Sequence, residues 1–507
     1  MSLDVQRTDL TLGIVGTGVM GRGIAQIAAQ AGIRTILYDT REGAAEAARA
    51  HVAAQFRKLA EKGKLAPDAA ESAAARLDVA HVLPHLSPCH VVIEAIVEDL
   101  TAKRELFAHL EGLVHKDALL ASNTSSLQVT AIAAKLEHPE RVGGFHFFNP
   151  VPLMKVVEVI DGIVTAPWVG EALTALAQRM GHVPVRAQDT PGFIVNHAGR
   201  AYGTEALAIL REGVAPFYEV DRILRDVAGF RMGPFELMDL TGLDVSHPVM
   251  VSIYHQYYEE PRYRPSPMTA QRVVAGLLGR KSDGRGFYRY ADGQQEAMPV
   301  PPVPKADMPP VWVSRADLGE LAAALAEKLG AALDLGASPA NGSLVLVAPL
   351  GVDATSAAAR ESLDPTRTVA IDFFVPPHKR RTLMTTPITL PEYRDAAHAL
   401  FASDGVPVSV IRDSTGFIVQ RVLAHIVNIG CDIVQQRICS PADLDRAVTL
   451  GLGYPQGPLA WGDTLGPQRV LAVLAAMLAE SGDPRYRPSP WLRRRATLGV
   501  SLLTPDS

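Results

Sequence analysis

Cysteine is almost missing from this 507-residue chain: Cys89, Cys431 and Cys439 are the whole supply. Three thiols without metal-ligand spacing exclude a disulfide framework and argue against a bound metal, so a reducing cytoplasm is the expected setting. An excess of basic charge is missing too, with Lys+Arg at 49, Asp+Glu at 54 and no long basic run. Nucleic acid is therefore not an expected partner. No apolar run approaches the roughly 20 residues of a membrane span, and the opening MSLDVQRTDL carries no apolar signal core. No membrane partner is expected either. The length exceeds what one core can hold and implies several domains.

What is present begins with a strand-like run, Thr11–Val15, then Gly16-Thr17-Gly18-Val19-Met20-Gly21 and a helix-like stretch, 22–31. In a strand–turn–helix of this kind one glycine permits the tight turn, one lets the backbone approach a pyrophosphate, and one allows close helix-to-strand packing. Gly16, Gly18, Val19, Met20 and Gly21 are thus candidate cofactor contacts, with the helix N-terminus facing phosphate. A second strand, Arg34–Tyr38, ends in Asp39, whose carboxylate suits a ribose 2′-hydroxyl and favours NAD over NADP. Arg41, just beyond, tempers that preference.

Further strand-like runs at 91–95, 118–122 and 142–148 alternate with helical stretches, which predicts a doubly wound parallel α/β sheet of Rossmann type. In such sheets ligands sit beyond the carboxyl ends of the strands. Glu98 and Lys103 follow one strand end, Asn123 and Ser125 the next, and His146 the one after. Within 143–160, GGFHFFNPVPLMKVVEVI, His146 is the one side chain that titrates near neutrality, and Glu158 is the carboxylate near enough to steer it. Asn149, a further cofactor-contact candidate, and the turn formers Pro150 and Pro152 let the segment fold back on itself. Arg57, Lys58, Lys62 and Lys64 surround one acid, Glu61. They form either a solvated helix face or a docking face for a phosphate-rich ligand. From Asp189 the pattern turns helical, and Asn196 lies early in that region, either as a surface amide or as a group reaching back to the crevice.

The chain repeats itself beyond the Pro- and Gly-rich stretch 291–310. Asp413-Ser414-Thr415-Gly416-Phe417-Ile418-Val419-Gln420 mirrors the eight residues from Asp189 to Asn196 at an offset of 224, and Gly233-Pro234 and Asp239 return as Gly457-Pro458 and Asp463. A whole two-domain unit is duplicated. The expected domains are a dinucleotide-binding domain 1–186, a helical domain 187–290, a linker 291–310, a degenerate Rossmann-like domain 311–408 and a second helical domain 409–507. The second copy reads as degenerate. Val311-Trp312-Val313 resembles the first strand but has no three-glycine turn after it, and VAIDFFVPP at 369–377 keeps two phenylalanines while Asp372 replaces His146 and Val375 replaces Asn149. Packing residues persist where polar ones are lost, which separates the needs of the fold from those of chemistry.

Together GTGVMG, EAIVEDLTAK, SNTSSL, GFHFFNP, KVVEV, DTPGFIVN and MGPFELMDLTGLD resemble the L-3-hydroxyacyl-CoA dehydrogenase family over residues 11–290. The two-unit length is similar to bacterial members assigned to 3-hydroxyadipyl-CoA in phenylacetate breakdown. The resemblance implies NAD-dependent oxidation of a 3-hydroxyacyl-CoA, with His146 as general base and Glu158 orienting it. It further implies that Ser125 and Asn196 hold the reacting oxygen, that Asp39, Glu98, Lys103 and Asn123 contact NAD, and that Lys58 and Lys62 meet CoA. In the single-unit family the helical domains pair as a dimer, so an intramolecular pseudo-dimer is expected here, with further homo-oligomerisation open. The rivals are a short-chain 3-hydroxybutyryl-CoA enzyme, a β-hydroxyacid dehydrogenase with a lysine base, and a non-catalytic NAD-binding relative.

Overall fold

The apolar runs and the glycine turn build an eight-stranded sheet in a computed structural model that describes residues 3–280 and 284–506. Residues 1–2, residues 281–283 and residue 507 lie outside the described residues. The chain runs β1 (Thr11–Val15), α1 (Val19–Gln30), β2 (Arg34–Tyr38), α2 (Ala44–Glu61), β3 (Leu77–Val79), β4 (Val91–Glu94), α3 (Leu100–Leu113), β5 (Leu119–Ser122), β6 (Val142–Phe147), β7 (Val156–Asp161) and β8 (Val183–Gln188). The strand order is β3-β2-β1-β4-β5-β6-β7-β8. Leu12, Ile14, Ile93 and Leu119 are shut from solvent in one core with Ile24 and Ala28 of α1, each such side chain contributing about 1.5–3 kcal/mol by leaving water.

The sheet is mainly parallel, with one departure from the expected all-parallel order. β7 runs antiparallel to β6 and carries β8 parallel to itself. The connection 148–155 is too short for the crossover that a parallel neighbour needs, so the chain must turn straight back.

Beyond β8 come α4 (Arg200–Arg211), α5 (Phe217–Ala228), β9 (Val311–Val313), α6 (Gly319–Lys328), β10 (Leu344–Val347), β11 (Thr368–Ile371), β12 (Arg381–Thr385), β13 (Val408–Ile411), α7 (Ile418–Gln435) and α8 (Pro441–Gly451). The five strands of this second sheet lie in sequence order, with β11 and β12 antiparallel. Counting back from that antiparallel pair, β12 matches β7, β11 matches β6, β10 matches β5 and β9 matches β4. Loop lengths agree: residues 314–318 separate β9 from α6 as residues 95–99 separate β4 from α3, whereas only 16–18 separate β1 from α1. Val311–Val313 is therefore not a counterpart of the first strand. Among the described residues the second sheet has no equivalent of β1 to β3, and the glycine turn is absent together with the strand that would carry it. The sequence misled here because a short apolar triplet is common to any buried parallel strand.

The repeated aspartates do the same structural work in both copies. Asp189 accepts from the Val129 and Thr130 N–H groups, as Asp413 does from Ala354 and Thr355. Asp239 holds the Phe287 and Tyr288 N–H groups, and Asp463 that of Leu502.

The chain divides into two units, Met1–His197 with Gln436–Leu452, and Ala198–Gln435 with Gly453–Ser507. In the first unit α8 packs on β7 and β8. In the second unit α4 packs on α7, and α5 reaches the second sheet through Glu219 to Ser409 and Arg380 to Asp226. Among the described residues no helix is long and apolar enough to cross a membrane.

Candidate active site

Antiparallel register places His146 of β6 directly opposite Glu158 of β7. Directly paired residues share one face of a sheet, and His146 Nδ1 lies 2.6 Å from Glu158 Oε2. Both side chains are buried, Glu158 completely. A buried carboxylate is tolerable only when its oxygens find donors, and Oε1 accepts from the backbone N–H groups of Ile194 and Val195 at 2.9 and 2.8 Å. Those two donors converge because Gly192 and Phe193 both take the left-handed conformation, φ +76° and +48°. For phenylalanine that conformation costs on the order of 1–3 kcal/mol, which the surrounding packing must offset. Phe193 is 1 % exposed, and its ring and that of Phe148 flank the imidazole at 5.9 and 4.4 Å. With Nδ1 engaged by the carboxylate, Nε2 is the nitrogen left for chemistry.

Asn196, the residue after the clamp, extends Nδ2 to the Ser125 carbonyl at 3.3 Å. The structure thus brings His146, Glu158, Ser125 and Asn196 together. The Ile194 and Val195 donors were not among the sequence candidates. Backbone groups leave no residue-type signal, although the Pro-Gly turn ahead of a helix marks where such donors occur.

At the neighbouring strand ends Glu98 Oε1 gathers Thr124 Oγ1 at 2.7 Å and the Ser125 and Ser126 N–H groups at 2.8 and 3.0 Å. Burial pushes the Glu98 carboxyl up, but the Lys103 charge and these hydrogen bonds outweigh it and hold the group at about 2. Lys103 itself is 1 % exposed and sits between Glu94 at 2.6 Å and Glu98 at 3.2 Å. From there its charge holds Glu98 ionised, which sets the electrostatics of this strand end. Asn123 Oδ1 is likewise engaged, accepting the Phe147 N–H at 2.8 Å beside His146. Glu94 and Thr124, absent from the sequence candidates, complete this network, and the hydroxyl-rich SNTSSL run after β5 was its visible trace.

The glycine turn fits a dinucleotide. A Cβ at Gly16 (φ +92°) would lie 2.5 Å from the Ala95 carbonyl, and one at Gly21 only 1.9 Å from that of Gly16, whereas Gly18 faces open space. The turn is closed to side chains on the protein side and open where a pyrophosphate would approach the first N–H groups of α1, at Val19 and Met20. Asp39 is held by the Thr17 N–H and hydroxyl at 2.9 and 2.8 Å and by the Arg41 N–H at 3.0 Å. Burial opposes ionisation there, and these donors overcome it, holding Asp39 at about 2. Arg41 is thus turned onto Asp39. Lys58 and Lys62 line a cleft of about 460 Å³ with Val19, Arg22, Asn149 and Leu153, which places Asn149 beside the basic stretch. Lys62 also closes the C-terminus of α2, a stabilising place for a cation.

The matching place in the second copy holds no acid–base pair. Thr382 stands where Glu158 would fall, and Asp372, buried, accepts from the Phe374 N–H and Gln420 Nε2. Burial pushes Asp372 up to about 6.

Comparison with known proteins agrees with this geometry. Residues 11–190 match the family model described as "3-hydroxyacyl-CoA dehydrogenase, NAD binding domain", and residues 192–290 and 416–501 both match its "C-terminal domain". The chain is 36% identical to "3-hydroxyadipyl-CoA dehydrogenase" of Escherichia coli (strain K12), covering 98% of this chain and 99% of that one. It is 40% identical to "Probable 3-hydroxybutyryl-CoA dehydrogenase" of Bacillus subtilis (strain 168), over 55% of this chain and 96% of the relative. A crystal structure of 3-hydroxybutyryl-CoA dehydrogenase from Escherichia coli K12 superposes with a TM-score of 0.86 at 36% identity, over 97% and 99% of the two chains.

Proposed function

This chain belongs to the 3-hydroxyacyl-CoA dehydrogenase family, and from that premise we propose that it reversibly oxidises an L-3-hydroxyacyl-CoA to the 3-oxoacyl-CoA with NAD. The observation that carries this reading is the buried His146–Glu158 pair at 2.6 Å. When bound, NAD supplies the hydride acceptor. The chain supplies the rest: His146 Nε2 takes the proton of the 3-hydroxyl, and Glu158, fixed by the Ile194 and Val195 N–H groups, steadies the imidazolium that forms. Asn196 and Ser125 hold the reacting oxygen. Asp39 selects a free ribose 2′-hydroxyl, and Lys58 and Lys62 meet the phosphates of CoA.

General-base help of this kind contributes about 10²- to 10⁴-fold. His146→Ala is expected to lose turnover on that scale in NADH oxidation with acetoacetyl-CoA, yet to bind NADH as the parent does. Turnover close to the parent's would overturn the mechanism, and a parent chain inactive on every 3-oxoacyl-CoA would support the non-catalytic rival.

For the substrate we favour a dicarboxylic 3-hydroxyacyl-CoA of the 3-hydroxyadipyl type, in phenylacetate breakdown. The support is the E. coli relative of that name, which matches through the second copy as well as the first. A short-chain 3-hydroxybutyryl-CoA is the second reading, supported by the E. coli crystal structure bearing that name over equal length. The ratio of kcat/KM between the two substrates decides.

A further inference from the structure

β8 ends the catalytic sheet, and a helix of the second copy covers that end. α8 packs against β7 and β8, and the loop before it accepts the Gln188 N–H on the Ile438 carbonyl at 2.8 Å. At the last residue of α8, Gly451, an added Cβ would lie 2.9 and 3.1 Å from the two Val195 methyls and 3.4 Å from a Val156 methyl. Val195 gives one of the two N–H groups that fix Glu158, and Val156 opens the strand that carries it. Cys439 lies close enough that, after burial and Asp443, the Glu158 charge helps push its thiol up.

The internal repeat supplies a control. The offset of 224 places Val227 of α5 at the position of Gly451, and α5 faces the second sheet, where Thr382 replaces Glu158 and Phe417 has no positive φ. The tight approach through glycine therefore occurs on the side where a carboxylate has to be held, and the other side carries valine.

We propose that α8 of the second copy is a positioning element of the active site: its close approach at Gly451 holds the Val195 N–H on Glu158 and, through Glu158, fixes the imidazole of His146. This rests on the reading of His146 as the base. It gives the second copy a role in catalysis without a second site.

The test is Gly451→Val in the full chain, which installs the residue of the repeat. We expect kcat to fall by about 10-fold or more, as misplacing a catalytic group does, with KM for NADH and acyl-CoA unchanged. The acid limb of the hydroxyacyl-CoA oxidation profile should move to lower pH, because an imidazolium with a slackened carboxylate loses its proton more readily. Val195→Ala in the same chain removes the methyls that valine would strike and should restore both kcat and the profile. Parent-like kcat and profile in Gly451→Val would overturn the proposal, as would a loss that keeps the parent profile and is not relieved by Val195→Ala. Should Gly451→Val fail to fold, Gly451→Ala carries the same test. A parent chain inactive on all 3-hydroxyacyl-CoA substrates, or a fully active His146→Ala, would instead overturn the underlying function, and the proposal with it.

Discussion

His146 and Asp372 occupy matching strand ends, and their surroundings decide what each does. His146 meets a carboxylate fixed by two backbone donors, whereas Asp372 meets the Gln420 amide and the Phe374 N–H. Burial, opposed by those hydrogen bonds and by Arg469, raises the Asp372 carboxyl from 3.8 to about 6. The folded chain thus keeps a proton that the unfolded chain has lost between those values, so this group's contribution to stability falls as pH rises through that window. Asp372→Asn keeps the Oδ1 acceptor and has no proton to lose. Relative to the parent it should gain up to about 3 kcal/mol above pH 6 and nothing near pH 3.8. Urea midpoints of the two chains at about pH 4 and pH 7.5 check this. An offset that does not change with pH would refute it.

At the scale of elements, α4 and α7 meet over a fully buried carboxylate. Glu205 takes Arg421 Nε at 2.8 Å, Arg485 Nη1 at 3.2 Å and the Tyr486 hydroxyl at 2.8 Å. Burial pushes Glu205 up, but Arg421 and then Arg485 hold it at about 2. The repeat puts Ile429 at the position of Glu205, so the contact joins the first copy to the second and is not two-fold symmetric. Glu205→Gln would leave the buried Arg485 guanidinium without its carboxylate and Arg421 with Glu212 alone, a loss of up to about 3–5 kcal/mol by comparison with other broken buried pairs. Thermal unfolding should show a lowered midpoint, and Glu205→Gln with Arg421→Gln should cost less than the sum of the two. Additive losses would show that the pair is not coupled.

For the molecule as a whole, duplication has become interdependence. Residues 436–452 lie in the second copy by sequence and in the catalytic unit by packing, while α5 of the first copy reaches the second sheet. A chain ending at residue 310 would lack α8 and expose Val156 and Val195 where Gly451 now lies. Such a fragment is expected to be inactive or insoluble, measured by NADH oxidation with acetoacetyl-CoA. A soluble fragment with full activity would contradict this.

The sequence alone determined the features that depend on residue types close together: the glycine turn and Asp39, the alternation of strands and helices, the His146 and Glu158 candidates, and the duplication itself. These follow from local sterics, periodicity and the chemistry of single side chains. It could not show the register that sets His146 opposite Glu158, that Ile194 and Val195 fix the carboxylate through backbone N–H groups, that Lys103 is enclosed by two acids, or that β9 answers to β4. Only the tertiary structure decided those points. Backbone donors carry no letter in the sequence, and strand register and the docking of α8 depend on contacts between segments far apart along the chain.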